Sequence, residues 1–267
     1  MAERTTTADL LELAQRRHEY LTLLGNEPGH KRDIIDETGD SRSTVDRAIE
    51  ALHEAALVAR LDDGTWTVTT KGDLLRQTVV RSREAAEAIE TAGDLLEHLP
   101  CDEQIPPALF QGAIVERAEA PRPLAIAKRV RENMRAADSV RGFAVADHGV
   151  GVDDTAFDGV FGDDSFEFAY VFEETLLCDV ATEDDRYREL CERPNATVAV
   201  YDGLPFGLLL ADVGEETRMT VIVYDDSGVV RGQITTTDRG AVAWGEDVFK
   251  RYRREGTPLG EWVESTA

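Results

Sequence analysis

The sequence predicts an α+β protein: an N-terminal winged helix-turn-helix, a long connecting helix and a C-terminal mixed α/β regulatory domain. Three observations carry that expectation. Apolar residues recur at helical spacing in successive short segments from Leu10 to Ala56. An Asp62-Asp63-Gly64 turn between two β-prone runs follows them. Beyond Pro100, segments of helical and of strand type are mixed. A chain of 267 residues accommodates two domains and a connection, with expected bounds 1–72, 73–100 and 101–267.

The first helix is read from Leu10, Leu11, Ala14, Leu21 and Leu24, with Gly25 as its C′ residue and Pro28 marking a turn. A second runs from Lys31 to Thr38 around Ile34 and Ile35 and stops at Gly39. In the third, Val45, Ala48, Ile49, Leu52 and Ala56 share one face, and Ser41 or Ser43 is placed to cap it. Its other face presents Arg42, Thr44, Asp46, Arg47 and Glu50. Val58–Leu61 and Thr65–Thr69 then flank Asp-Gly, a strong short-range hairpin signal. Three helices and a hairpin in about 70 residues form the winged helix-turn-helix plan.

From Gly72 to about Leu99, Leu75, Val79, Ala86, Ile89 and Leu96 drift along one stripe, until Pro100 stops the helix. About 27 residues at 1.5 Å each span about 40 Å. A helix of that length after a wing suits pairing with a second copy, so a homodimer is expected, with packing against the chain's own C-terminal domain as the alternative. Pro100, Pro106 and Pro107 mark a boundary at 100–108. Strands are expected at Phe110–Arg117, Val140–Ala146, Phe166–Phe172, Ala196–Tyr201, Arg218–Tyr224 and Val229–Thr235. Helices are expected at Pro123–Ala137, Glu183–Arg193 and Asp238–Arg254, and Leu176–Val180 is short and apolar. Asp225-Asp226-Ser227-Gly228 reads as a hairpin turn.

The chemistry of the third helix sets the functional expectation. A helix entering the major groove needs short polar and bidentate side chains at its N-terminal end. Ser41, Arg42, Ser43, Thr44 and Arg47 supply hydroxyls and guanidinium groups there. Arg60, Thr65 and Trp66 lie on the wing, where the DNA backbone or minor groove would pass. The expected partner is double-stranded DNA. The alternative is a protein-interaction module of the transcription machinery that uses the winged helix without reading DNA, with Arg42 and Arg47 pairing only with Asp46 or Glu50.

Composition qualifies this picture. Twenty-nine basic residues face 53 acidic ones, for a net charge of −24, and only four of the basic residues are lysine. Residues 1–80 hold 10 basic and 15 acidic side chains; the remaining 187 hold 19 and 38. Acid-rich, lysine-poor folded chains resemble proteins of salt-loving archaea. In molar salt the Debye length falls to about 3 Å, which screens the self-repulsion. Net charge therefore says little about partners here. Melting at two salt concentrations tests the point: stability should rise with salt. No run of 18 apolar residues is present and the N-terminus lacks an apolar signal core, so a cytoplasmic protein without membrane contact is expected.

The run Gly39-Asp40-Ser41-Arg42-Ser43-Thr44-Val45-Asp46-Arg47-Ala48-Ile49, with Leu52, Leu57-Val58, Gly64, Trp66-Thr67-Val68-Thr69 and Gly72, resembles the winged helix of haloarchaeal transcription regulators. The resemblance implies that Ser41–Val45 opens a recognition helix, that Leu57-Val58 leads into the wing, and that Thr69-x-x-Gly72 closes it. Asn195–Leu210 and Ala241–Tyr252 resemble the final strands and last helix of archaeal regulators carrying a methanogenesis- or filament-regulator type middle domain. That likeness implies a domain that senses a signal or mediates assembly, with a small-molecule effector of unassigned identity.

Catalysis is not expected. There is no G-x-S-x-G, P-loop or G-x-G-x-x-G, and no H-x-K-x₄-D pair of the phospholipase type. His18, His30, His53, His98 and His148 are isolated, and Cys101, Cys178 and Cys191 lack ligand spacing and read as free thiols. No cofactor or metal is expected. Acid pairs such as Asp153-Asp154, Asp163-Asp164 and Asp184-Asp185 recur along the chain; the first two, in Gly-rich turns, read as solvated surface, with general acid/base pairs or Ca²⁺ ligands as the alternative. Tyr201, Phe206, Trp244 and Tyr252 read as core aromatics, with an effector cleft as the alternative. The Asn195-Ala196-Thr197 sequon is idle in a cytoplasmic protein.

Overall fold

The computed structural model describes residues 6–118, 125–146, 162, 165–180, 189 and 192–266. Most of the expected helix Glu183–Arg193 lies outside these residues, as do Pro123, His148, Cys191 and the three acid pairs 153–154, 163–164 and 184–185. The chain forms two compact units, Met1–Glu84 and Ala85–Ala267.

In the first unit, α1 (Thr7–Arg16) and α2 (His18–Asn26) replace the single helix that the apolar spacing predicts. Arg17 leaves the helical region at φ −118°, ψ 21°. Tyr20 explains the break. Six positions beyond Ala14, it would lie on the flank of a continuous helix. The turn at Arg17 instead lets Tyr20, Leu21 and Leu24 all become buried. Gly25 is consequently helical, and Glu27 caps α2.

α3 (Lys31–Thr38) and α4 (Arg42–Glu54) follow as expected, separated by Gly39 in the left-handed conformation at φ 71°, where glycine avoids a Cβ clash. Val45, Ala48, Ile49 and Leu52 of α4 are all at most 1% exposed. Ala56 does not join them: it sits past the helix end at φ 57°, exposed, and Ala55 is buried instead. The wing is a hairpin of β1 (Val58–Arg60) and β2 (Trp66–Val68), in antiparallel register Val58↔Val68 to Arg60↔Trp66. Gly29 adds a one-residue third strand, exchanging backbone hydrogen bonds of 3.0 and 2.8 Å with Trp66.

α5 (Thr70–Ala92) begins under that wing. A Cβ on Gly72 would stand 1.9 Å from the Leu57 carbonyl oxygen, so only glycine permits the approach. The Thr69 hydroxyl donates to the Ala56 carbonyl at 2.8 Å and accepts from the Gly72 N–H at 3.1 Å. The Thr-x-x-Gly spacing thus pins the helix start to the loop before the wing. α5 is shorter than predicted. It ends at Ala92; Gly93, at φ 40°, starts a 3₁₀ segment to His98. Its buried stripe also differs: Ala85, Ala88 and Ala92 face inward, while Ile89 is 40% and Leu74 60% exposed. Small residues win the inner face because they allow the backbone closer to its neighbours.

The second unit is built on one mixed sheet in the order β10-β6-β5-β4-β7-β8-β9-β3. Its strands are β3 (Ile114–Arg117), β4 (Ser139–Ala144), β5 (Glu167–Glu173), β6 (Ala196–Tyr201), β7 (Gly207–Val213), β8 (Glu216–Tyr224), β9 (Val230–Thr236) and β10 (Thr257–Pro258). β4, β5 and β6 run parallel and the other pairings are antiparallel. α6 (Ala125–Arg135), α7 (Glu174–Val180) and α9 (Leu259–Thr266) contribute Ile126, Val130, Met134, Leu177 and Trp262 to the apolar layer on one face. The end of α5, the segment 95–110 and α8 (Arg239–Glu255) cover the other.

Three expectations in this unit change. Phe110 ends a 3₁₀ turn, Pro107–Phe110, and the strand starts only at Ile114. The central strand β7 went unassigned in the sequence because its uninterrupted apolar run has no alternation, as befits a strand covered on both faces. The proline-rich 100–108 stretch packs into this unit: Glu103 is 9% exposed and accepts hydrogen bonds from Arg251 and the Tyr252 hydroxyl. The aromatics Tyr201, Phe206, Trp244 and Tyr252 belong to the apolar layer on the α8 face.

Candidate nucleic-acid interface

α4 is held from beneath by its apolar face, which leaves the outer face of its first two turns toward solvent. Ser41 is the N-cap, accepting from the Thr44 N–H at 3.2 Å. Its hydroxyl also lies 3.0 Å from that of Ser43 and 2.8 Å from that of Thr44. Three hydroxyls therefore cluster at the positive end of the helix, where backbone N–H groups favour an anion. Ser43, Arg42 and Arg47 are exposed and Thr44 is half-buried.

Neither arginine on this helix face is held by a close carboxylate hydrogen bond. Arg42 is 89% exposed and reaches Asp46 only at 3.8 Å, and Arg47 forms no ion pair among the described residues. Asp46 is engaged elsewhere, accepting from the Lys31 ammonium at 2.8 Å. That hydrogen bond, with Arg42 nearby, holds the Asp46 carboxyl below its ordinary range. Asp40 in turn accepts from the buried Tyr20 hydroxyl. Burial, with Asp40 adjacent, pushes the Tyr20 pKa up to about 12. Both acids that would oppose a phosphate are thus turned to structural use.

The wing residues are of two kinds. Arg60 is exposed at the end of β1. Thr65 is occupied inside the turn, giving its N–H and hydroxyl to the Asp63 carboxylate at 2.9 and 2.6 Å. Those bonds lower the Asp63 pKa. Trp66 is a half-buried strut: its ring meets His53 edge-on at 5.2 Å and lies 5.8 Å from the Lys31 ammonium. The structure thus brings Ser41, Arg42, Ser43, Thr44 and Arg47 together on one exposed helix end, while Thr65 and Trp66 serve the hairpin.

Sequence reasoning missed Lys31, which ties α3, α4 and the wing together through Asp46 and Trp66. Arg32, exposed beside it in the first turn of α3, was missed as well. The available signal was compositional: Lys31 is one of only four lysines in the chain. Among the described residues, no group of three or more His, Cys, Asp or Glu could hold a metal ion. No helix among them is long and apolar enough to cross a membrane.

Residues 123–255 match the family model of the methanogenesis regulatory protein FilR1, middle domain, and residues 5–91 match that of the HVO_A0261 N-terminal domain. The chain matches no curated protein. Among solved structures, it is similar to TrmBL2, an archaeal chromatin protein, at 13% identity and TM-score 0.44, over 94% of this chain and 99% of that one. It is also similar to HmgR of Pseudomonas aeruginosa at 11% identity and TM-score 0.24, over 93% and 97%. The methyltransferase RosA of Streptomyces davawensis follows at 12% identity and TM-score 0.26, over 73% and 64%. Across residues 123–255, which form most of its second unit, this chain is similar to a methanogenesis regulatory protein.

Proposed function

We propose that this protein is an archaeal, sequence-specific DNA-binding transcription regulator of a salt-rich cytoplasm. Ser43, Thr44, Arg42 and Arg47 enter the major groove, Ser41 caps the helix that carries them, and Arg60 on the wing follows the backbone. Arg32, at the start of α3, adds a phosphate contact. The observation that carries this reading is the exposed N-terminal end of α4. There Arg42, 3.8 Å from Asp46, and Arg47, with no ion pair among the described residues, stand exposed where a winged helix meets DNA. The likeness to a regulatory protein's middle domain supports the role of the second unit as a sensor or assembly module.

The functional domains are 1–72 for DNA and 101–267 for regulation, joined by 73–100. A homodimer formed along α5 would place two recognition helices on a two-fold operator, and the exposed Leu74 and Ile89 offer apolar surface for it. Salt weakens phosphate contacts by counterion release, so base contacts carry unusual weight. One observation favours a protein-binding winged helix instead: exposed Asp33, Asp36 and Glu37 crowd α3.

Genome-wide chromatin immunoprecipitation of the tagged wild type and of the Arg42→Ala/Arg47→Ala variant separates the two. Discrete palindromic peaks lost in a folded variant support direct readout. Peaks that persist mean recruitment through another protein.

A further inference from the structure

The second unit holds a cavity of about 350 Å³ between α6 and the β8-β9-β3 end of the sheet. That volume lies at the lower end of small-molecule sites. Glu116 of β3, Arg129 and Asn133 of α6, Arg218 of β8 and Thr235 of β9 line it. Their charges are unequally used. Glu116 is neutralised by Arg129 at 3.0 Å and accepts a further hydrogen bond from the Gln233 amide N–H at 2.6 Å. Arg218 has no ion pair among the described residues. Its guanidinium donates to the neutral amide oxygen of Asn133 at 3.0 Å, and Asn133 is only 7% exposed.

The lining therefore carries one uncompensated positive charge in a protein of net charge −24, and it sits in a concave site rather than on the surface. Elsewhere in this unit, Arg141 meets Asp212 and Glu246, and Arg251 meets Glu103. A second polar group on the same sheet face is also unsatisfied. Gln233 and Thr235 alternate with the oppositely directed Ile234. Gln233 is fully buried, and its Oε1 finds no hydrogen-bond donor among the described residues.

We propose that this cavity binds a small molecule with one terminal oxyanion, a carboxylate or a phosphate monoester, and a hydroxyl-bearing tail. Arg218 pairs with the oxyanion, since a guanidinium recognises carboxylate and phosphate alike. Asn133 orients Arg218 for it. Thr235 faces the hydroxyls. As an effector site this deepens the regulator reading and rests on it; as a binding site it stands alone.

The test is calorimetric titration of the full-length protein, in one salt buffer, with glycerol 3-phosphate, glycerate and uncharged glycerol. The first two probes separate a phosphate source of the oxyanion from a carboxylate one. Arg218→Gln removes the charge. Asn133→Asp supplies an internal carboxylate to Arg218 in nearly the same volume. The expected result is one saturable site for at least one anionic probe, none for glycerol, and at least tenfold weaker binding in both variants. Where Arg218→Gln does not fold, Asn133→Asp decides alone. Absence of saturable binding at millimolar probe, or binding that a folded variant leaves unchanged, overturns the proposal. Probe binding by a protein that gives no chromatin peaks would keep the site and remove the regulator reading.

Discussion

Arg47 in the first unit and Arg141 in the second are the same side chain in opposite circumstances. Arg141 is largely enclosed and gives one guanidinium nitrogen to Asp212 and another to Glu246, at 2.7 Å for the latter. Asp212 is further bound by the hydroxyls of Ser139 and Thr217. Arg47 stands exposed on α4 with no ion-pair partner among the described residues. One arginine is a structural crosslink between β4, β7 and α8, and the other is chemistry offered outward. Position, rather than the lack of a carboxylate, sets Arg47 apart: it stands on the exposed face of α4.

The sharpest test of that difference is the Arg42→Ala/Arg47→Ala variant. Each good bidentate base contact is worth about 1–3 kcal/mol of discrimination, so affinity for a selected operator should fall on the order of 100-fold. Stability should change by no more than about 0.5 kcal/mol, as for other exposed sites. Fluorescence anisotropy at fixed salt and a urea melt read the two quantities, and equal affinity in both proteins would end the recognition-helix argument.

Arg141→Ala should do the reverse. Breaking a fully buried pair costs about 3–5 kcal/mol; partial exposure reduces this to about 2 kcal/mol here. The urea midpoint of the second unit should drop while intrinsic operator affinity of the folded protein stays unchanged. A midpoint within error of wild type would mean the crosslink is screened and structurally idle.

A smaller effect is expected for Ser41→Ala, which removes the N-cap of α4 and should cost about 1 kcal/mol. Ser41→Asp should recover that stability, because a carboxylate also caps, yet weaken operator binding by placing negative charge near phosphate. Recovery of both properties would show that the end of α4 faces no phosphate.

The mildest test is pH. Arg141 holds Asp212 and Glu246 below their ordinary values of 3.8 and 4.5. The unfolded chain then binds more protons than the folded one through this range. The stabilisation is complete above about pH 4.5 and is lost as pH falls through the lower folded values. Arg141→Ala should therefore flatten the acid limb of a pH–stability curve, and an unchanged limb would assign acid sensitivity to other carboxylates.

Legibility in the sequence followed the same division. α3 and β6 appeared with the bounds their residues predict, and α4 with its buried face, because capping, a left-handed glycine and apolar spacing act within a few residues. A serine cap, Ser41 or Ser43, was readable for the same reason, and the structure decides for Ser41. The exposed arginines were readable as candidates, since position on an amphipathic helix decides which way they point. The employment of Thr65 and Trp66 was not readable. Asp63 captures Thr65 inside the turn, and Trp66 depends on His53, Lys31 and Gly29, which reach it from elsewhere in the unit.

The sequence by itself determined α3, α4, the hairpin, β6, the exposed face of α4 and the acid-rich composition, because each rests on local spacing or on counting. Only the tertiary structure decided that α1 and α2 break at Arg17, that Ala85, Ala88 and Ala92 rather than Ile89 turn inward, and that β7 is the central apolar strand. It also decided that Arg141 is spent on Asp212 and Glu246 while Arg218 meets only Asn133. The reason is physical: which partner a guanidinium meets depends on residues far along the chain, 71 and 105 positions for Arg141 and 85 for Arg218, that only the fold brings within reach.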